Sequence, residues 1–250
     1  MLRYAVVTGC NRGLGLAIAQ RLVQEGFRVA AVCRRFKDSK STAQFLGCGC
    51  VPIGLDLATA DGAAVKTAAT QVLAWLGHSK LNLLVNNAGN SHGGWGEWEW
   101  AESRSVNYKG PCLLTESLLS AFATNASVLM VGSGLGDLSL LSPKYQGLLR
   151  KAKNIAGLDQ IATRSIRQLD VEHSWVGPYG FSKALLHRAT EIFAADCRFK
   201  HRSILVNAVC PGWVSTSMGG DEAPISVEEG AGHILAGHIQ QVLQPQQTAT

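Results

Sequence analysis

Tyr179 and Lys183 stand four residues apart in a segment that reads as a helix from about Tyr179 to Cys197. One helical turn brings two such side chains to the same face. A free phenol has a pKa near 10 and is a poor proton shuttle at neutral pH. An ammonium group within about 4–6 Å favours the phenolate and lowers that value by roughly 1–3 units. The pair is therefore predicted to move protons near pH 7. Ser133 follows an aliphatic run and adds a hydroxyl that could donate to an oxygen on which negative charge develops. Alone, a Tyr and a Lys at this spacing are ordinarily a partly exposed helix pair. The chemical reading needs a site to which all three belong.

A second group of residues supplies that site. Thr8-Gly9-Cys10-Asn11-Arg12-Gly13-Leu14-Gly15 joins a strand-like run directly to a helix-like stripe of Leu14, Ile18, Leu22 and Val23. Gly9, Gly13 and Gly15 let the backbone turn sharply and approach a pyrophosphate closely, and the helix N-terminus beyond them offers unpaired N–H groups. Glycines also serve turns for purely steric reasons, but strand before and helix after favour dinucleotide binding. Sites for NAD place an acid about 20 residues further on, against the ribose 2′-hydroxyl. Here that region reads Cys33-Arg34-Arg35, with no acid before Asp38. Arg12 and Arg34 suit a 2′-phosphate and so predict NADP(H), whereas Arg35 reads as a solvated surface cation.

Six short apolar runs must position these groups: Tyr4 to Thr8, Arg28 to Cys33, Val51 to Leu55, Leu81 to Val85, Ser127 to Val131 and Ile204 to Val209. They are nearly continuous rather than alternating, as parallel strands covered on both faces are. Helical stretches lie between them, one carrying the stripe Val65, Ala69, Val72 and Leu76. The pattern predicts an α/β fold with a Rossmann-like, doubly wound parallel sheet of six strands in a single domain over 1–250. An inserted helical segment, about 138–172, precedes the Tyr179 helix, with helical pieces at Leu148 to Lys153 and Leu158 to Leu169. After a helix from Ser226 to Leu243, the polar tail Gln244 to Thr250 offers no seventh strand. Ile204 to Val209 would then be an edge strand, an aggregation hazard unless that last helix covers it or the chain is a shortened form.

Composition narrows the class further. The 250 residues are 46% hydrophobic and only 16% charged, with 27 Gly and a net charge of +5. That excludes a disordered chain, a coiled coil and a nucleic-acid tail, and it suits a small anionic ligand. Of the seven cysteines, only Cys48 and Cys50 are close, separated by one Gly. No C-x-x-C or H-E-x-x-H occurs, so no metal site is expected, and free thiols in a reducing compartment are. Apolar runs are too short for a membrane span, and a strand-like run at Tyr4 leaves no room for a leader. The expectation is a soluble, cytoplasmic protein without nucleic-acid or membrane partners.

The spacing T-G-x-x-x-G-x-G resembles the pattern of the short-chain dehydrogenases/reductases. Other family motifs follow in order: Asn86-Asn87-Ala88-Gly89, Asn107 with Gly110, Ser133, Tyr179-Gly180-Phe181-Ser182-Lys183 and Pro211-Gly212. The resemblance spans about Tyr4 to Gly230. It implies catalytic roles for Ser133, Tyr179 and Lys183, with Asn107 holding a water that links Lys183 to solvent. The implied cofactor set is Gly9, Asn11, Arg12, Gly13, Leu14, Gly15, Arg34, Asp56, Leu57, Asn87, Ala88, Gly89, Tyr179, Lys183, Pro211, Gly212, Val214 and Thr216. Asp56 would contact adenine and Thr216 the nicotinamide carboxamide. Read structurally, Asp56 is equally a turn or capping acid, and Asn86 to Gly89 a tight turn. The long stretch between Ser133 and Tyr179, with Cys210-Pro211-Gly212-Trp213-Val214 and Thr216-Ser217-Met218, resembles the carbonyl reductase branch, which implies a monomer. Trp213 and Met218 would then wall a pocket for aromatic ketones, quinones or aldehydes, with simple core packing as the other reading of both. Trp98 and Trp100, two apart, must lie on different sides of any helix, and Trp95 has no assigned role. The function this implies is NADPH-dependent carbonyl reduction, with a non-catalytic NADP(H) sensor or an inactive shortened form as the alternative.

Overall fold

A computed structural model describes residues 2–47, 49–59, 61–168 and 176–238, with the side chains of 165–168 excepted. Six strands form one sheet: β1 Arg3–Thr8, β2 Phe27–Cys33, β3 Val51–Gly54, β4 Leu81–Asn86, β5 Phe122–Val131 and β6 Leu205–Val209. Their order is β3-β2-β1-β4-β5-β6, and all neighbours pair in parallel. The chain thus reverses its winding between β1 and β4, which opens a crevice at the carboxyl ends of those two strands. The doubly wound α/β sheet read from the sequence is the observed one.

Alternate side chains along each strand enter two separate cores. Ala5, Val7, Val29, Ala31, Leu83, Val85 and Leu129 face one side, with Ile18 and Leu22 of α1 (Gly13–Gln24) and Ile234 of α10 (Val227–Leu235). Tyr4, Val6, Val32, Leu84, Val128 and Met130 face the other, with Val65, Ala69 and Val72 of α3 (Gly62–Leu76) and Leu185 and Ala189 of α8 (Gly177–Ala195). Burial on both faces is the reason the strands lack polar alternation.

Between β4 and β5 lie α4 (Glu97–Arg104), a π-helical turn (Ser105–Lys109) and α5 (Gly110–Ser117), none of which shows a clear apolar stripe in sequence. The predicted insertion contains α6 (Pro143–Lys151) and α7 (Ile155–Gln168); its expected end at 169–172 lies outside the described residues. Tyr108 donates to Asp159 at 2.9 Å and Lys109 pairs with the same carboxylate, tying α7 to the π-helical turn. α9 (Cys197–Lys200) leads into β6.

Two expectations need correction. β5 begins at Phe122 rather than Ser127: Phe122 pairs with Leu81, the register then shifts across a bulge at the polar Thr124 and Asn125, and regular pairing with β4 resumes at Ser127. α10 is shorter than the predicted 226–243 helix: it ends at Leu235, and Gly237 follows with φ +75°, while positions from 239 lie outside the described residues. Nor does α10 cover the sheet edge. It packs on α1, where Gly230 admits both Leu14 and Val214, and Leu205 of β6 stays 42% exposed.

Candidate active site

The turn after β1 is built from close backbone contacts. Gly9 and Gly13 adopt φ +66° and +52°, which side-chain-bearing residues rarely do. A Cβ on Gly15 would collide with the Gly9 carbonyl and the Asn87 amide. The buried Thr8 hydroxyl accepts the main-chain N–H groups of Asn87 at 3.0 Å and Ala88 at 2.9 Å. In return the Asn87 side chain donates to the Thr8 carbonyl at 2.9 Å. The ends of β1 and β4 are thereby locked side by side under the N-terminus of α1. The sequence reading named Thr8 within the glycine motif but gave it no role; its place next to Gly9, at the end of a buried strand, was the available signal.

One cleft of about 810 Å³ runs across these strand ends. Each residue assigned above to the cofactor lines it, as do Ser133, Trp213 and Met218. At one end, Arg12 and Arg34 are exposed and make no side-chain hydrogen bond or ion pair among the described residues, whereas Arg35 is held by Asp38 at 2.8 Å. Asp56 lines the cleft and also caps its own turn, accepting the Ala58 N–H at 3.0 Å. Beside it Leu57 packs so tightly on Gly110 that a Cβ there would stand 2.8 Å from its methyl. The segment after β6 folds over the glycine turn, with Thr216 beside Gly13. There Val214 bridges to Ile225, Gly212 takes φ +86°, and Thr216 Oγ1 accepts the Gly219 N–H at 3.1 Å. The cleft therefore offers a backbone cradle that side chains would fill, with two uncommitted guanidinium groups. It fits an anionic dinucleotide.

At the other end α8 brings Tyr179 and Lys183 together one turn apart. Lys183 is 3% exposed; its Nζ lies 5.7 Å from the Tyr179 ring centroid and donates to the Val131 carbonyl at 2.7 Å. Burial lowers its pKa to about 8. Tyr179 does not show the depressed pKa expected from its ammonium neighbour. Burial dominates and raises it, opposed by a hydrogen bond with Ser133. The phenol accordingly keeps its proton at neutral pH. The Ser133 hydroxyl accepts the Leu135 N–H at 3.2 Å and faces Tyr179.

Asn107 stands behind the cleft lining: a Cβ on Gly89 would lie 3.2 Å from its Oδ1 and 3.6 Å from the Lys183 Nζ. It is fully buried in the π-helical turn, and its amide nitrogen donates to the Asn90 carbonyl and to Ser182 Oγ, each at 2.9 Å. Its Oδ1 accepts the Asn90 N–H at 2.9 Å, while Ser182 donates to the Tyr179 carbonyl at 2.6 Å. The side chain joins α8 to the loop after β4. Asn90 and Ser182 were missed because isolated polar residues carry no spacing signal.

Trp213 and Met218 are 55% and 48% exposed on the cleft, so the core-packing alternative is wrong for both. The indole N–H of Trp213 donates to the Gly219 carbonyl at 2.8 Å, which fixes the ring. Trp98 is exposed against His92 and Trp100 is buried against Phe181, on different sides of α4 as their spacing requires. Trp95 packs on Gly177, and none of the three lines the cleft. Among the described residues there is no group of metal-binding side chains and no helix long and apolar enough to cross a membrane.

Comparison with known proteins agrees with this geometry. Residues 3–143 match the family model described as short chain dehydrogenase. The chain is 30% identical to (+)-neomenthol dehydrogenase of Arabidopsis thaliana, over 92% of this chain and 88% of the relative. Salutaridine reductase of Papaver somniferum superposes with a TM-score of 0.82 at 25% identity, covering 93% of this chain and 94% of that one. NADPH-bound carbonyl reductase from chicken fatty liver gives 0.69 at 26% identity, covering 92% and 88%. With the glycine turn, the crevice at the β1/β4 reversal and the Tyr179–Lys183 pair on one cleft, these matches place the chain in the short-chain dehydrogenase family of oxidoreductases.

Proposed function

We propose that the protein reduces a neutral, apolar ketone, aldehyde or quinone to the alcohol with NADPH. The observation that carries this reading is the meeting of the Ser133 and Tyr179 hydroxyls and the Lys183 ammonium at one end of a cleft whose other end holds Arg12 and Arg34. Bound NADPH supplies the hydride. Gly9, Gly13 and Gly15 would admit its pyrophosphate, Arg12 and Arg34 would pair with its 2′-phosphate, and Asp56 and Thr216 would contact its adenine and its nicotinamide carboxamide. The chicken carbonyl reductase of similar fold, which carries NADPH, supports the cofactor assignment.

The chain's own groups do the rest. Ser133 donates to the substrate oxygen as negative charge builds there. Tyr179, kept protonated by burial, gives its proton to that oxygen, and Lys183 lends positive charge beneath it. Asn107, through Asn90 and Ser182, holds the first turn of α8 against the β4 loop. The cleft walls include Ser91, Leu135, Trp213, Ser217 and Met218, and its charged lining residues are Arg12, Arg34, Asp56 and the buried Lys183. An uncharged substrate with an aromatic or aliphatic body fits such walls. The α6–α7 insertion packs against α4 and α8, in keeping with a monomer. The test is substrate-dependent oxidation of NADPH against neutral aromatic ketones, quinones and aliphatic aldehydes. Turnover of at least one class is expected, with KM raised about tenfold by Trp213→Ala, on the order of one lost apolar anchor. Tight NADPH binding without turnover of any class would favour the sensor alternative.

A further inference from the structure

The turn that carries Ser133 is wrapped around an imidazole. His187 stands one helical turn beyond Lys183, so Tyr179, Lys183 and His187 succeed one another along a single face of α8. Its Nε2 accepts the main-chain N–H of Ser133 at 3.4 Å. The glycines on either side of the turn close on the ring. A Cβ at Gly132 would collide with Nε2, and one at Gly136 would stand 2.9 Å from Cε1 and 2.8 Å from the Lys183 Cβ. Neither glycine has the left-handed backbone that would demand its type, so it is the space taken by His187 and Lys183 that excludes a side chain. The Gly136 carbonyl also faces the ring.

We infer that His187 is a positioning residue for Ser133: the neutral imidazole, accepting through Nε2, sets the turn so that the serine hydroxyl meets Tyr179, and protonation of Nε2 releases it. This rests on the reading of Ser133 as the donor to the substrate oxygen. An Nε2 that accepts requires the ring proton on Nδ1. The charged groups facing the ring are Lys183 and Glu191 on α8 and Asp137 beyond the Ser133 turn. Burial first, and Lys183 second, outweigh the two acids and hold the pKa below the usual 6.5. The neutral form therefore dominates at pH 7. It is lost only as pH falls through the depressed value, which puts the change on the acid side of 6.5.

The inference is tested on the full chain with NADPH and the best ketone of the panel, using His187→Gln and His187→Leu, each also combined with Ser133→Ala. Gln carries an acceptor to the Nε2 position but does not titrate in this range; Leu fills the space with no acceptor. His187→Leu is expected to lower kcat about 5–20-fold, the worth of one buried hydrogen bond to a catalytic group, with NADPH affinity unchanged. In the Ser133→Ala background the same change should cost less than about twofold, because residues acting through one another are not additive. His187→Gln should keep kcat within about threefold at pH 7.5 and lose the acid limb of the wild-type profile. An equal loss from His187→Leu in both backgrounds, or an acid limb that persists in His187→Gln, overturns the inference. A long-range proton–nitrogen NMR spectrum reads the tautomer without turnover. A proton on Nδ1 that gives way to the doubly protonated ring below 6.5 supports the inference, and a proton on Nε2 at pH 7 refutes it. Failure of the wild type to reduce any ketone would count against the proposed reaction, while the spectrum would still decide the role of His187.

Discussion

Replacing Tyr179 by Phe removes one oxygen and leaves the ring in place. The hydroxyl's hydrogen bond is with Ser133, so folding should lose about 0.5–1.5 kcal/mol at most. The loss in turnover should be far larger. A positioned general acid is worth roughly 10²–10⁴ in rate, about 3–5 kcal/mol of barrier, and no other hydroxyl at this end of the cleft is backed by a buried ammonium. The pH dependence adds a second criterion. Burial holds the phenol proton above its usual pKa, so reduction should not fall in the neutral range through loss of the acid. Lys183, at about 8, loses its charge first, and the wild-type rate should decline as pH rises through that value. The Phe variant has no proton to deliver, so its residual rate should be level across the same interval. Single-turnover oxidation of bound NADPH measures chemistry apart from product release, and a fluorescence titration measures NADPH affinity, expected within twofold of wild type. A variant that keeps more than a tenth of wild-type turnover, or whose residual rate still declines near pH 8, would refute the role given to the phenol.

Two further substitutions probe the cofactor end. Arg34→Ala should weaken NADPH binding about tenfold, the lower end for a charge-assisted hydrogen bond at an exposed position, and leave NADH unchanged. An equal effect on both nucleotides in a fluorescence titration would remove the 2′-phosphate argument. Thr8→Val keeps the shape of a buried side chain but strands the N–H groups of Asn87 and Ala88. The expected cost is about 2–5 kcal/mol in denaturant unfolding, with weaker NADPH binding. A change below about 1 kcal/mol would show that the lock between β1 and β4 is not what holds the glycine turn.

The class of fold was legible in the sequence because two-sided burial suppresses polar alternation, and six short apolar runs with helices between them admit few topologies. The glycine turn was legible for a local reason: strand, turn and helix are contiguous, so Gly9, Gly13 and Gly15 carry their meaning within eight residues. The Tyr179–Lys183 pair was readable from helical periodicity alone. Where the notice given by sequence is weak, the elements differ from expectation. α4 and α5 have no clean apolar stripe, and β5 starts at Phe122, before a bulge at Thr124 and Asn125 whose polar residues end the apolar run.

Other features depended on residues distant in the chain. Whether a phenol titrates up or down is decided by how deeply α8 is buried as well as by the lysine one turn away, and here burial prevails. Whether Arg34 or Arg35 is left uncommitted depends on where Asp38 falls once α2 (Phe36–Leu46) forms. The commitment of Asn107 to Asn90 and Ser182, and the closing of Gly132 and Gly136 on His187, join segments far apart in sequence. Local spacing thus determined which functional groups the protein presents and on which elements. Packing between elements alone decided their protonation and orientation, because desolvation and hydrogen bonding are set by neighbours that the chain brings together only on folding.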